Sequence, residues 1–500
     1  MNALVITPVI LPLGLAVAVF LLRRHPGVRI PVTVLGSAAN LVIGMWLLVR
    51  VMTDGIQVMQ AGGWEAPYGI TFVADPLGAI LVVVTGVINM AVCCYAQASI
   101  PESLRRQGYD ATMLVLIAAV SGAFLTGDLF NLYVWFEVML MASFGLLLLG
   151  GTPEQLKGGL GYVALNLIST ILFVCAIGMT YAMTGTLNMA DLHLRIRDAA
   201  DLGWLAPTAM LFMTAFGIKS AVFPLFFWLP TAYHTPPVAV SAVFSGLLTK
   251  VGVYAMIRVF TLHFVSDTAF THAILLGVAG LTMVTGVLGA AAQMHFRRIL
   301  SFHIISQIGY MIMGLGIYTH LAITGTVFYL AHHMVVKTNL FLISGLAERI
   351  GGTGSLKRLG GFYASAGWLA ALFFIPAFSL AGLPPLSGFW AKLILVKAGL
   401  AGGHYWVTAA AIVVGFLTLY SMTKIWDAVF WKPAPETAST KALSRSELLW
   451  MALPAAGMAA ITVWIGLWPE TLTVVATRAS ETLMDPGDYV RAVLTAGGRP

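Results

Sequence analysis

Along its 500 residues the chain is cut into apolar blocks. Most of them are close to the ~20 residues that a helix needs to cross a ~30 Å hydrocarbon core. In lipid every backbone N–H and C=O must find its partner inside the protein, which leaves only helices and closed barrels. Barrel strands alternate apolar and polar residues, and these blocks do not. The chain therefore reads as an all-α integral membrane protein of about fourteen transmembrane helices, the first near 3–22 and the last near 449–468. Composition agrees: 59% of residues are hydrophobic and 9% charged, with a mean hydropathy of +0.90. Soluble domains carry roughly 25% charged residues.

The net charge of +7 does not point to nucleic acid, because basic residues collect in the cytoplasmic loops of membrane proteins. One alternate set of loops holds Arg23, Arg24, Arg29, Arg105, Arg106, Lys157, Arg297, Arg298, Arg349, Lys357, Arg358, Lys432, Lys441 and Arg445. The other is acidic, with Asp54, Glu65, Asp191, Asp198, Asp201, Asp267, Glu481, Asp485 and Asp488, and Arg195 and Arg197 as a local exception. The basic set is expected inside the cell and both termini outside. The stretch from Ala3 to Leu22 lacks the basic residues that precede a signal peptide's apolar core, and reads as the first span. Cys93, Cys94 and Cys175 fall in apolar runs without a C-x-x-C spacing, which favours helix packing over zinc or iron–sulfur sites.

Ionisable groups at membrane depth cost at least ~2.5–3.5 kcal/mol each and usually face a bundle interior with a function. Glu137 lies in GDLFNLYVWFEVMLMASFGLLLL, nine residues after Asp128 and so roughly 13 Å along the helix. A structural carboxylate tied to a serine or the backbone is the plainer alternative. Lys219 lies about a dozen residues into a span, in AFGIKSAVFPLFFWLPTAYHTPP, where Pro224 and Pro230 follow it. Each proline removes a backbone donor and is expected to break the helix; broken helices are where transporters build ion sites. Snorkelling to an interface is the alternative for Lys219, and for Lys250 in FSGLLTKVGVYAMI, but the depth of both weighs against it. In AHHMVVKTNLFL, His333 and Lys337 are four apart and share a face, whereas His332 points about 100° away and is the weaker candidate. A core histidine satisfied by a hydrogen bond is the alternative for either ring. Lys392 lies in AFSLAGLPPLSGFWAKLILVK, just after Pro384 and Pro385.

A buried lysine beside a proline-broken helix thus occurs twice, which points to internal repeats around a translocation site. The halves are expected at 111–260 and 271–430, with a three-helix region at 1–110 before them and a loop, last helix and tail at 431–500 after them. An odd number of spans per half requires the repeats to be inverted. Burial disfavours the charged form of a lysine and a neighbouring carboxylate restores it. The expectation is therefore that Glu137 pairs with Lys219, and that Lys250, His333 and Lys392 pass protons onward through water. Histidine suits such a relay because its ordinary pKa, ~6.5, lies near working pH.

DLFNLYVWFEVML, GIKSAVFPLFFWLP with HTPPVAVSAVFSGLLTKVGVY, and LAGLPPLSGFWAK are the most specific pieces. Together they resemble the antiporter-like family shared by respiratory complex I, membrane-bound hydrogenases and Mrp-type multisubunit cation/proton antiporters. The resemblance covers essentially the whole chain. It implies fourteen helices, two inverted five-helix repeats and broken seventh and twelfth helices. It also implies that Glu137, Lys219, Lys250 and Lys392 hold the charged positions of helices five, seven, eight and twelve, and that His333 is the eleventh-helix histidine. The FNLYVWFEV context, the compact chain and the lysine at 392 favour the Mrp-type sodium/proton antiporters within the family. The implied role is a secondary transporter subunit, not an enzyme, without cofactor or metal. It would handle H⁺ and Na⁺ in a bacterial cell membrane alongside partner subunits A, B, C, E, F and G. The rival readings are a redox-driven pump subunit of complex I or a hydrogenase, a quinone- or haem-binding enzyme, and a scaffold. The scaffold has no need of such costly buried charges.

Overall fold

The computed structural model describes residues 2–198, 203–434 and 443–495; Asp201 and Lys441 lie outside the described residues. The apolar blocks are helices, as backbone pairing in lipid demands. In chain order they are α1 (Thr7–Leu21), α2 (Pro26–Asp54), α3 (Pro76–Ser99), α4 (Tyr109–Leu125), α5 (Leu129–Leu148) and α6 (Pro153–Thr184). There follow α7 (Leu205–Ser220), α8 (Val238–Leu262), α9 (Thr268–Ala292), α10 (Phe296–Ile317) and α11 (His320–Gly351). The series closes with α12 (Gly367–Ala381), α13 (Ser387–Ala401), α14 (Tyr405–Trp431), α15 (Arg445–Leu467), α16 (Glu470–Met484) and α17 (Gly487–Thr495). Among the described residues nine helices are long and apolar enough to cross a membrane singly: α2, α3, α5, α6, α8, α9, α10, α14 and α15. α1, α4 and α12 are shorter apolar helices.

Helix starts follow local chemistry. Proline occupies the first turn of α2, α3 and α6, where its missing N–H has no intrahelical partner to lose. Asp75 and Asp128 cap α3 and α5 by accepting from the backbone of Gly78 (2.8 Å) and Asn131 (2.7 Å). A small hairpin, β1 (Gln57–Gln60) against β2 (Thr71–Ala74), joins α2 to α3. The C-terminal stretch, read from sequence as a tail, is two helices: α16 packs on α3, α8 and α11, and Val493 of α17 accepts from Gln60 of the hairpin.

The spans form a centre and a rim. The membrane-length stretch of α8 is 100% buried inside the chain and that of α10 94%, against 28% for α2. α11, 32 residues long, is buried along nearly its whole length and touches α3, α8, α10, α12, α13, α15 and α16. A helix surrounded in this way is the place where polar residues are hidden from lipid. α9 and α10 meet almost backbone to backbone. A Cβ on Gly309 would come within 2.7 Å of the Met283 nitrogen and 2.8 Å of the Ala279 oxygen.

The two runs in which prolines were expected to break the helix are both interrupted. After α7, Ala221 takes a left-handed conformation (φ 59°), and the chain runs irregularly to a short helix at Trp228–Ala232. Pro224 lies in that interruption. Pro230, expected to break the helix as well, instead sits inside the short helix's only turn, where a proline has little hydrogen bonding to remove. Between α12 and α13 lie Gly382 (φ +96°), Pro384 and Pro385.

Candidate functional site

Glu137 on α5 and Lys219 in the last turn of α7 face the same hydroxyl. Thr170 of α6 donates to Glu137 Oε1 (2.7 Å) and accepts from Lys219 Nζ (3.5 Å). The two groups meet indirectly: among the described residues no Glu137–Lys219 contact falls within 4.0 Å, and the threonine stands between them. Lys219 is only 5% exposed, and its ammonium lies 5.6 Å from the centre of the Phe136 ring. A cavity of about 10 Å³ lies beside it, lined in part by Asn166, Tyr162 and Tyr233. Glu137 itself is half-buried, on a face of α5 that also shows Phe130, Val134 and Met141 at the chain's surface. The interruption after α7 is stabilised by Phe223 N donating to Thr282 (2.9 Å) and Trp228 Nε1 donating to Ile218 O (3.1 Å).

Lys250 sits two residues beyond a π-helical stretch, Phe244–Leu248, and donates to the carbonyl of Ser245, five residues back. A π-turn loosens the i→i+4 ladder and is frequent at functional sites. The close approach of α11 accompanies it, since a Cβ on Gly246 would fall 2.1 Å from Thr338 Oγ1. On α11, Lys337 is fully buried and donates to Leu300 O of α10 (3.2 Å). His333 is buried, with neither ring nitrogen hydrogen-bonded among the described residues. The charged and imidazole groups that act on it are Lys250, Lys337, His332 and His303.

His332, the weaker candidate from spacing, is the histidine that reaches the second interruption. Its Nδ1 lies 2.7 Å from Ser387 Oγ, which is 3.1 Å from Ser379 Oγ, itself an acceptor for Gly388 N. Lys392, half-buried on α13, donates to the freed carbonyl of Ala381 (2.9 Å), and its ammonium lies 4.9 Å from the centre of the Tyr310 ring. It borders a cleft of about 260 Å³ with mostly apolar walls. Lys219 thus precedes its break, whereas Lys392 follows its own.

Three features were not legible from spacing. Thr170 has no sequence mark, being one threonine among many. His303 of α10 is fully buried, with both ring nitrogens unpartnered among the described residues; a histidine in LSFHIIS was the available signal. Arg258, two turns beyond Lys250, pairs with Asp75 (2.7 Å) with both side chains sealed, and Tyr489 of α17 stacks over it at 5.4 Å. That pair ties α3, α8 and α17 together, and half of such a pair left alone would be a stranded charge. Cys93 is buried, but Cys175, also expected to pack between helices, is exposed on the surface of the chain.

Residues 126–418 match the family described as NADH:quinone oxidoreductase/Mrp antiporter, transmembrane. The chain is 43% identical over 99% of its length to the Na⁺/H⁺ antiporter D subunit of Alkalihalophilus pseudofirmus, all of which it covers. It is 40% identical over 99% of its length to all of the corresponding Bacillus subtilis protein. Among solved structures, a chain of the Mrp complex from a Dietzia species superposes with a TM-score of 0.90 at 31% identity, covering 99% of this chain and 100% of that one. The chain belongs to the NADH:quinone oxidoreductase/Mrp antiporter transmembrane family.

Proposed function

We propose that this chain is the D-type, proton-translocating subunit of a multisubunit Na⁺/H⁺ antiporter in a bacterial cell membrane. The observation that carries the reading is the row of basic groups, buried at Lys219, Lys250, Lys337 and His333 and half-buried at Lys392, none of which forms an ion pair among the described residues. The likeness over full length to two antiporter D subunits supports it. Groups that act on one another electrostatically without a fixed counter-ion are suited to hand a proton along, because a proton gained at one site repels the next. At the α5 end, Thr170 holds Glu137 and Lys219 at one remove. A small movement that closes or opens that gap changes how firmly the lysine keeps its proton.

The five-helix blocks 111–260 and 271–430 are read as inverted repeats, each with one interrupted helix. The basic loops lie inside and both termini outside. Glu137 and the Lys392 cleft lie where the row reaches the chain's surface, and the partners proposed to cover them are subunits A, B, C, E, F and G. Inside-out vesicles carrying the complete assembly test the reading. After the interior is acidified, sodium is expected to restore the signal of a pH-sensitive dye. Lys219→Ala is expected to slow that recovery by about tenfold or more with the assembly intact. Full recovery in both Lys219→Ala and Glu137→Gln sinks the relay. No sodium response even in the unmodified assembly points instead to a redox-driven pump subunit.

A further inference from the structure

One face of α10 connects the middle of this row to its Lys392 end. Leu300, His303, Gln307 and Tyr310 are spaced by three, four and three residues and therefore lie along one side of the helix. Lys337 donates to Leu300 O at one end of that side (3.2 Å), and Lys392 lies over the Tyr310 ring at the other (4.9 Å). Leu300 and Tyr310 are ten positions apart, about 15 Å along the helix at 1.5 Å per residue, and no hydrogen bond joins the two lysines among the described residues. Gln307 is engaged by the Tyr329 hydroxyl, and the Tyr329 and Tyr310 rings stack at 5.2 Å. Tyr310 donates its own hydroxyl to Ala411 O. The remaining side chain on this face able to take up and release a proton near neutral pH is His303. It is fully buried, and both its ring nitrogens lack a protein partner among the described residues. An orphaned polar group in a native core calls for an explanation. The cations acting on it are Lys337, Lys392 and Lys424. Lys424 is committed elsewhere, donating to Ala291 O and Gln293 O at the end of α9.

We infer that His303 is a relay residue, carrying the proton between the Lys337–His333 group and Lys392 along this face of α10. The inference rests on the transport reading above. Its competitor is the His332–Ser387 contact, which approaches the same lysine from α11.

The test uses the whole assembly in the vesicle assay, with His303→Gln, His303→Asn, His332→Gln and Lys219→Ala side by side. Each is run in light and heavy water, and subunit co-purification checks assembly. The expected result is that His303→Gln slows sodium-driven recovery by about tenfold or more, with a larger heavy-water slowing than the unmodified assembly because proton transfer has become the slow step. His303→Asn serves as the reading if the glutamine variant does not assemble. Normal rates in the His303 variants while Lys219→Ala is inactive would overturn this inference and leave the wider reading standing. So would slowing with an unchanged heavy-water ratio, which marks a packing defect, or slowing confined to His332→Gln. Normal rates in Lys219→Ala and His303→Gln together would remove both.

Discussion

A threonine hydroxyl donates one hydrogen bond and accepts two. Thr170 uses both capacities at once, giving its proton to Glu137 and receiving Lys219. The acid and the base thus meet through a neutral group whose removal leaves both in place. Thr170→Val keeps the branched shape and deletes the hydroxyl, and is expected to lower sodium-driven recovery in vesicles by about tenfold or more, whereas Thr170→Ser keeps most of it. Equal rates in valine and serine variants would show the hydroxyl to be incidental. The adjacent histidines of α11 show the limit of spacing arguments. Four-residue periodicity groups His333 with Lys337 correctly on one face, but periodicity alone does not say what faces His332. The answer, Ser387, is 55 residues away in sequence.

At the scale of elements, what matters is where backbone groups lose their helical partners. Proline marks the second interruption fully and the first only in part, because a proline within the first turn of a helix costs it little, as at Pro230. The π-turn before Lys250 has no proline at all. It coincides with Gly246, where α11 leaves no room for a side chain. The same close approach holds α9 to α10. Gly309→Ala places a methyl group against the backbone of Ala279 and Met283 and is expected to destabilise the folded chain by about 1–3 kcal/mol. Gly14→Ala, at a position with nothing within 4 Å, is expected to be neutral or slightly stabilising. The check is the midpoint of thermal unfolding of each variant in detergent, and equal midpoints for the two would refute the packing argument.

For the molecule as a whole, the arrangement is a sealed centre of α8, α10 and α11 carrying most of the basic groups, with the two ends of the row nearer the surface. Orientation is the property that loop charge alone predicts. Glu481 on α16 and Lys357 between α11 and α12 are both exposed, and belong to opposite loop sets. In a chain otherwise free of reactive cysteines, Glu481→Cys is expected to react with an impermeant maleimide added to whole cells. Lys357→Cys is expected to react only once the membrane is opened. Labelling of both from outside, or the reverse pattern, would overturn the topology. The acid-rich C-terminal stretch takes part in the core instead of trailing from it: Tyr489 stacks over Arg258, sealing the Arg258–Asp75 pair.

Membrane residence, helical class, the interrupted helices and the positions of Glu137, Lys219, Lys250, Lys337 and Lys392 were determined by the sequence by itself. Hydrophobic length and the cost of burying charge act locally, and each residue carries that information on its own. The partners were decided only by the tertiary structure. Thr170 stands between acid and base, Ser387 meets His332, Leu300 O receives Lys337, and Asp75 neutralises Arg258. Each of these depends on which helix faces which, and in lipid that choice is made by the fit of small residues such as Gly246 and Gly309 against neighbouring backbones.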